Sequence, residues 1–495
     1  MKQIFLIVSL FWTLITFSQN NYYTEQYRPR FHFSPVTNWT NDPNGLVFNK
    51  GKYHLFYQYN PFGNQWGHMT WGHAVSKDLI HWGHLPIAIP EEKDTMIFSG
   101  TCVVDYKNTS GFGKAGTVPM VAIYTGHIEN VNQSQHLAYS NDDGITWTKY
   151  NKNPILDLHQ KDFRDPKVFW YDAKHYWVMS VMQPVEHIVA FYWSSNLKQW
   201  SRLSGFGPIG DTTGVWECPD LTQVPVEGSK NKKKWLLQLS VNGAMQYFVG
   251  EFDGVSFKNE NPVNKIFRPD YGPDYYAAIA YNQLPEGHLP TAIGWVNNWN
   301  YANDIPTSPW KGAMSLPRTL SVKKINNEWI LIQQPVKAID QQRKMVYKDF
   351  KLGFHNIMKL PVTSQQCEID FSLGVANTDT GGIRIAAGHD HYIEIGYDGA
   401  RKVLYLDRSK TANRSFNKKF EEMNRFEIPY TLNGPLQLRV FFDNSIAEIF
   451  VNNGERVFTA QFFPDEKDNG IELFSTSKHA AGVGHCYVYT VNSVW

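Results

Sequence analysis

Two kinds of landmark recur through the first two-thirds of this 495-residue chain with a period of about 58 residues, and a repeat of that length leaves few folds open. The first kind is a turn that ends in an aromatic: Ser76 to Trp82, Ser140 to Trp147, Ser194 to Trp200 and, more loosely, Phe252 to Phe257. Their terminal aromatics lie 65, 53 and 57 residues apart. The second kind is a short polar cluster: Asn41-Asp42-Pro43, Phe98-Ser99-Gly100, Arg164-Asp165-Pro166, Glu217-Cys218-Pro219, and the stretch from Asp270 to Asp274. From Asp42 through Ser99, Asp165 and Glu217 to Asp274 the steps are 57, 66, 52 and 57. Short β-type runs fill the intervals, at residues 53–59, 121–124, 176–181 and 235–239. A unit of this size holds about four strands and cannot bury both faces alone, so the units must pack on each other as propeller blades do. The reading is all-β: a five-bladed β-propeller over roughly residues 28–335, with its five polar clusters turned toward a central channel.

Beyond about residue 340 the clusters stop and alternating strands take over, at residues 437–442 and 447–460. The Asn453-Gly454 pair between two strand patterns is a type I′ hairpin signal. Residues 345–495 read as a C-terminal β-sandwich, with 341–349 as the connection. The composition agrees with two turn-rich β units, with 36 Gly, 26 Pro and 15% aromatics. Lys and Arg number 47 against 46 Asp and Glu, a balance that argues against nucleic acid or an anionic membrane surface as partner. Met1-Lys2 and the apolar run from Ile4 to Phe17 read as a signal peptide over residues 1–18, hence an exported protein, periplasmic or extracellular. No later stretch is apolar for long enough to span a membrane. Cys102, Cys218, Cys367 and Cys486 are scattered and expected to be free, buried thiols. The sequence does not fix an oligomeric state.

Asp42, Asp165 and Glu217 sit in three different units, each beside or near a proline. Chemistry that needs opposed carboxylates is above all glycosidic bond cleavage, in which one protonates the leaving oxygen and the other attacks or activates water. A third would hold sugar hydroxyls, and Arg164 would favour the ionised form of whichever carboxylate it approaches. The same clusters also suit ordinary turns, since Asp-Pro and Asn-Pro start them. Five histidines, His54, His68, His73, His81 and His84, crowd one unit, but their mixed spacing favours ordinary strand and loop roles; no metal or cofactor is expected.

Taken together, Trp39-Thr40-Asn41-Asp42-Pro43-Asn44-Gly45, Gln58-Tyr59-Asn60-Pro61, Trp66-Gly67, Phe98-Ser99-Gly100, Phe163-Arg164-Asp165-Pro166 and Trp216-Glu217-Cys218-Pro219 resemble glycoside hydrolase family 32, and residues 53–85 look most like its bacterial levanases. The resemblance implies a propeller plus sandwich, in agreement with the repeat count. It also implies a retaining β-fructosidase, with Asp42 as nucleophile, Glu217 as acid/base and Asp165 as the group that binds fructosyl hydroxyls. By the same resemblance Asn41, Gln58, Trp66, Phe98, Ser99 and Arg164 line the pocket, with Asp270 and Trp295 less securely matched. Trp39, Trp66 and Trp295 would be apolar platforms for sugar rings. Thr40 departs from the family's usual Met or Leu. The implied substrate is a fructan, levan favoured over inulin or sucrose; alternatives are an inverting arabinan- or xylan-type hydrolase on a five-bladed propeller, or a non-catalytic sugar-binding propeller.

Overall fold

A computed structural model describes residues 22–114 and 116–495; the expected signal at 1–18 lies outside the described residues. The chain is almost wholly β. Five sheets of four or five strands come first, and two six-stranded sheets follow from Arg343 onward. The first strands of the five sheets are Asn38–Asn49, Met96–Val104, Arg164–Tyr171, Trp216–Pro225 and Tyr276–Ala280. Each touches the next, and the fifth touches the first, so these strands form a closed circuit. Parallel pairing of Trp310–Lys311 with Asn38 and Trp39 adds a late piece of chain to the first sheet.

The aromatic turns mark the entry to each outer strand, and their sequence similarity has a common hydrogen-bond cause. Ser76, Ser140 and Ser194 each accept from the backbone N–H two residues on, and Asp78, Asp142 and Asn196 at those positions accept from later N–H groups of the same turn. Asp253 does the same for Val255 and Ser256 in the looser fourth copy. The aromatic that follows covers the sheet edge: Trp82 joins the core of the first sheet and Phe257 that of the fourth.

The second part is two sheets packed face to face over a core that includes Ile369, Phe371, Ile383, Leu406, Val440, Ile449 and Val488. Strand begins at Arg343, well inside the segment expected to connect the two parts; a 3₁₀ turn, Lys337–Gln342, makes the connection. The hairpin at Asn453-Gly454 also differs from expectation. Pairing ends at Val451 and Arg456, so the loop has four residues instead of two, with Asn452, Asn453 and Gly454 all at positive φ. The longer loop docks on the fifth sheet: Gln333 N–H donates to the Gly454 carbonyl, and a Cβ at Gly454 would lie 1.8 Å from the Gln333 oxygen. All four cysteines are free and buried. Among the described residues no helix is long and apolar enough to cross a membrane.

Buried ion pairs join the two parts. His32 sits between Asp443 and Glu448, with Nδ1 2.8 Å from one and Nε2 3.0 Å from the other. Arg318 reaches Glu448 and Asp270 (2.9 Å to each through Nε and Nη1), and Arg408 reaches Asp274 at 2.9 Å.

Candidate active site

The polar clusters recur because each first strand carries a β-bulge at the same place. Two residues oppose one between Thr40 and Pro43, Ile97 and Gly100, Arg164 and Lys167, Glu217 and Asp220, and Tyr276 and Ile279. A bulge re-aims side chains that a regular ladder would leave facing the neighbouring sheets. Asp165, Cys218 and Ala277 take positive φ at the equivalent bulge position. The fifth cluster is therefore Tyr276 to Ala278, and not the Asp270–Asp274 stretch that the spacing suggested. Asp270 and Asp274 lie just ahead of the strand and turn away to Arg318 and Arg408 at the junction with the sandwich, where a second charge network claims them.

The bulges bring Asn41, Asp42, Gln58, Trp66, Phe98, Ser99, Arg164, Asp165 and Glu217 around one cavity of about 340 Å³. Ser99 Oγ donates to Asp42 Oδ2 at 2.6 Å and Asn41 Nδ2 to Oδ1 at 3.0 Å; Trp39 Nε1 in turn fixes the Asn41 carbonyl at 2.8 Å. Arg164 Nη2 donates to Glu217 Oε1 at 3.1 Å, and its Nε lies 3.9 Å from Asp165. Cys218 N–H donates to Asp165 Oδ2 at 2.9 Å, and the Cys218 thiol stands 3.5 Å from Asp42 and 3.6 Å from Asp165. Thr40, the departure from the family pattern, donates its hydroxyl to the Gln58 carbonyl at 2.9 Å, so it is satisfied where a Met or Leu would pack.

Arg164 is thus shared by Glu217, Asp165 and Asp162, the last at 2.8 Å, while Asp42 relies on neutral donors. Burial pushes Asp42 above the ordinary carboxylate range, with Glu217 adding to the shift and the Ser99 and Asn41 donors opposing it. Burial likewise pushes Asp165 up to about 7, against the pull of Arg164 and with help from the charges of Glu217 and Asp42. The Cys218 thiol is driven well up by burial, so it remains a proton donor between two acceptors. The cavity floor is closed. Lys167 and Asp220, both buried, pair at 2.9 Å, and the gap beneath Ser99 and Asp165 holds only about 10 Å³, room for one water at most.

Trp295 does not reach the cavity: it is fully buried behind Trp39 and Trp299, and Trp299, at 38% exposed, is the ring that lines the wall. Trp39 is buried as well, so of the expected platforms Trp66 alone faces the opening. Sequence reasoning missed Tyr276, whose hydroxyl donates to Glu217 Oε2 at 2.5 Å, and also Gln133, His127 and Asp162 on the Arg164 side. The repeat held the signal for Tyr276, one step of about 58 residues beyond Glu217; nothing comparable marks the other three. The histidines of the first sheet disperse: His54 bonds His73, His68 meets Glu91, His81 meets Asp78 and His84 meets Tyr23.

Residues 32–335 match the model of the glycosyl hydrolases family 32 N-terminal domain, and 336–490 match that of the family 32 C-terminal domain. The chain belongs to glycoside hydrolase family 32. It is a glycoside hydrolase, similar over its whole length to a levanase of Bacillus subtilis at 43% identity, covering 76% of that protein. It is 38% identical to an extracellular exo-inulinase of Aspergillus ficuum, with 96% of each chain covered. The crystal structure of exo-inulinase from Aspergillus awamori superposes with a TM-score of 0.90 at 37% identity, covering 96% of this chain and all of that one. That of a fructofuranosidase from Schwanniomyces occidentalis complexed with fructose gives 0.88 at 31%, with the same coverage.

Proposed function

We propose that this family 32 enzyme is a secreted, retaining β-fructofuranosidase that removes terminal fructose from fructans, with levan the preferred substrate. The observation that carries the proposal is the single cavity that Asp42, Asp165 and Glu217 line together with Arg164. In this reading residues 28–335 are a five-bladed propeller, the five bulged strands line its channel, and residues 345–495 are the accessory sandwich.

Asp42 is the nucleophile. Ser99 and Asn41 hold its two oxygens with donors, which favours the ionised form and orients one lone pair outward. Glu217 is the acid/base. Its carboxyl gives a proton to the leaving sugar in the first step and takes one from water in the second. Tyr276 and Arg164 hold the two Glu217 oxygens in place between its acid and base duties. Asp165, fixed by the Cys218 N–H, accepts from fructosyl hydroxyls. Attack by Asp42 on the anomeric carbon breaks the bond to the leaving oxygen as Glu217 protonates it; water, deprotonated by Glu217, then releases fructose with its original configuration.

A closed floor admits one terminal unit, which supports exo-action. Levan preference is supported by the 43% identity to a levanase, against 38% to exo-inulinases. Incubation with levan, inulin and sucrose tests the reading. Free fructose as the first product, formed fastest from levan, is expected; oligosaccharides as first products refute exo-action, and faster inulin cleavage refutes the linkage preference. Nuclear magnetic resonance of the fructose at early times must show the substrate's own anomer first, and the opposite anomer removes the covalent step.

A further inference from the structure

The sandwich sheet that begins at Arg343 carries an unusual outward face. Along Ala481–Val491 side chains alternate; Cys486 and Val488 enter the core, so His485, Tyr487 and Tyr489 point out. On the adjoining edge strand Met345 pairs with Tyr489, Lys348 with Tyr487 and Phe350 with His485, which sets those side chains on the same face. Phe350 is 54% exposed. The rings form a row: Phe350 to Tyr487 is 5.5 Å between centroids, His485 to Tyr487 5.1 Å, and Tyr487 to Tyr489 6.5 Å. The three outward residues of the strand span roughly 14 Å.

At its Tyr489 end the row runs into a crevice of about 250 Å³ where the sandwich meets the fifth sheet, lined by Gln334, Arg343, Asp370, Gln437, Arg439 and Asn453. Arg343 links the two, lying over Tyr489 at 4.4 Å. The two guanidiniums of the wall are neutralised, and its Asp370 meets His485 at 3.2 Å. Glu368, fully buried, pairs with both Arg343 and Arg439, and Asp340 pairs with both as well. The guanidiniums therefore offer N–H donors without a positive field, which is wrong for an anion and right for hydroxyls. An exposed Phe350 ring and half-buried Tyr487 and Tyr489 rings, beside a set of amides, carboxylate and guanidinium, are what a neutral sugar chain needs: apolar C–H faces to stack, hydroxyls to bond.

We infer that this face is a second, non-catalytic site that binds the body of a neutral polysaccharide, the Phe350–Tyr487–Tyr489 row stacking its rings and the Arg343–Arg439 crevice bonding its hydroxyls. That the polysaccharide is the enzyme's own polymeric substrate rests on the function proposed above. The site keeps the protein on the polymer between cleavages while contributing nothing to the attack on a short substrate.

Electrophoresis of the full chain through gels containing long-chain levan or inulin, run beside hydrolysis of a fructosyl trisaccharide, tests this. The double variant Phe350→Ala with Tyr487→Ala should lose most of its retardation by polymer and hydrolyse dilute polymer several-fold more slowly, with the trisaccharide rate unchanged. Tyr487→Phe, which keeps the ring, should behave as wild type. Unchanged retardation of the double variant overturns the inference, as does a wild-type dimer that the double variant converts to monomer, since the face then binds a second copy. Loss of retardation supports the surface whether or not the trisaccharide is cut; a wild-type enzyme that leaves the trisaccharide intact refutes the function reading alone.

Discussion

Asp42, Asp165 and Glu217 beside Arg164, and Asp270, Asp443 and Glu448 around Arg318 and His32, are two groups of three carboxylates in one chain, the second wholly buried and the first with Glu217 part-exposed, and they are compensated differently. At the junction the cations suffice. Arg318 and His32 hold Glu448 below the ordinary carboxylate range despite full burial, and Asp443 and Glu448 together raise His32 to about 9. Beyond them Asp274 is pushed up by burial in spite of Arg408, so the balance there is local and not perfect. In the cavity the one guanidinium is divided among Asp162, Asp165 and Glu217, and burial pushes Asp42 and Asp165 upward. The difference separates a cluster that holds the fold together from one whose charge is left for a substrate to meet, and it can be attacked from both sides.

The largest effect expected is on rate. Asp42→Ala should lower kcat on the order of 10⁴-fold or more while leaving the thermal midpoint unchanged or higher, because a buried carboxylate short of cations is removed. Near-normal turnover would break the assignment. The largest effect on stability should come from the other cluster: Arg318→Leu leaves Asp270 without its cation and Glu448 with His32 alone, and should cost about 3–5 kcal/mol in urea unfolding, with the rate per folded molecule retained. A mild loss would mean that the junction network contributes little.

The pH dependences sharpen the contrast. Asp165 has a folded pKa of about 7 against an ordinary 3.8, so the folded state binds the extra proton between those values and stability falls as pH rises through that window. Asp165→Asn should flatten this slope and raise the melting temperature at neutral pH, while depressing activity; an unchanged slope places the retained proton elsewhere. His32 has a folded pKa of about 9 against 6.5, so its contribution is complete below 6.5 and is lost as pH rises through 9. His32→Gln should remove that alkaline loss, the smallest of the four effects, read from melting temperatures between pH 6 and 10 in the two proteins.

The repeat was legible because the bulge and the outer turn each demand particular residues: Pro, Asp or Cys where the bulge re-aims the chain, and Ser-x-Asp or Ser-x-Asn where side chains cap a turn. It misled at the fifth unit, where Tyr276-Ala277-Ala278 performs the bulge without a carboxylate and Asp274, two residues ahead of Tyr276, fits the spacing by coincidence. Trp295 was misplaced for a related reason. A tryptophan in a strand gives no sign of which sheet face it takes, and here Trp299 in the following loop reaches the cavity instead. The four-residue loop at Asn453 escaped because its length answers to the Gln333 backbone it must meet, which is distant in sequence.

The parallel pairing of Trp310–Lys311 with Asn38 and Trp39 has a meaning in time. The strand that bears Asp42 is among the first to be synthesised, but the segment that completes its sheet emerges some 272 residues later (310 − 38). At 5–20 residues per second the gap lasts roughly 14–54 s. During that interval the first sheet has an unpaired edge beside the nascent nucleophile, and the carboxylates of later strands have not arrived to crowd it. The catalytic cavity is therefore completed only when the circuit closes, and a ribosome paused before residue 310 should hold a chain with no activity.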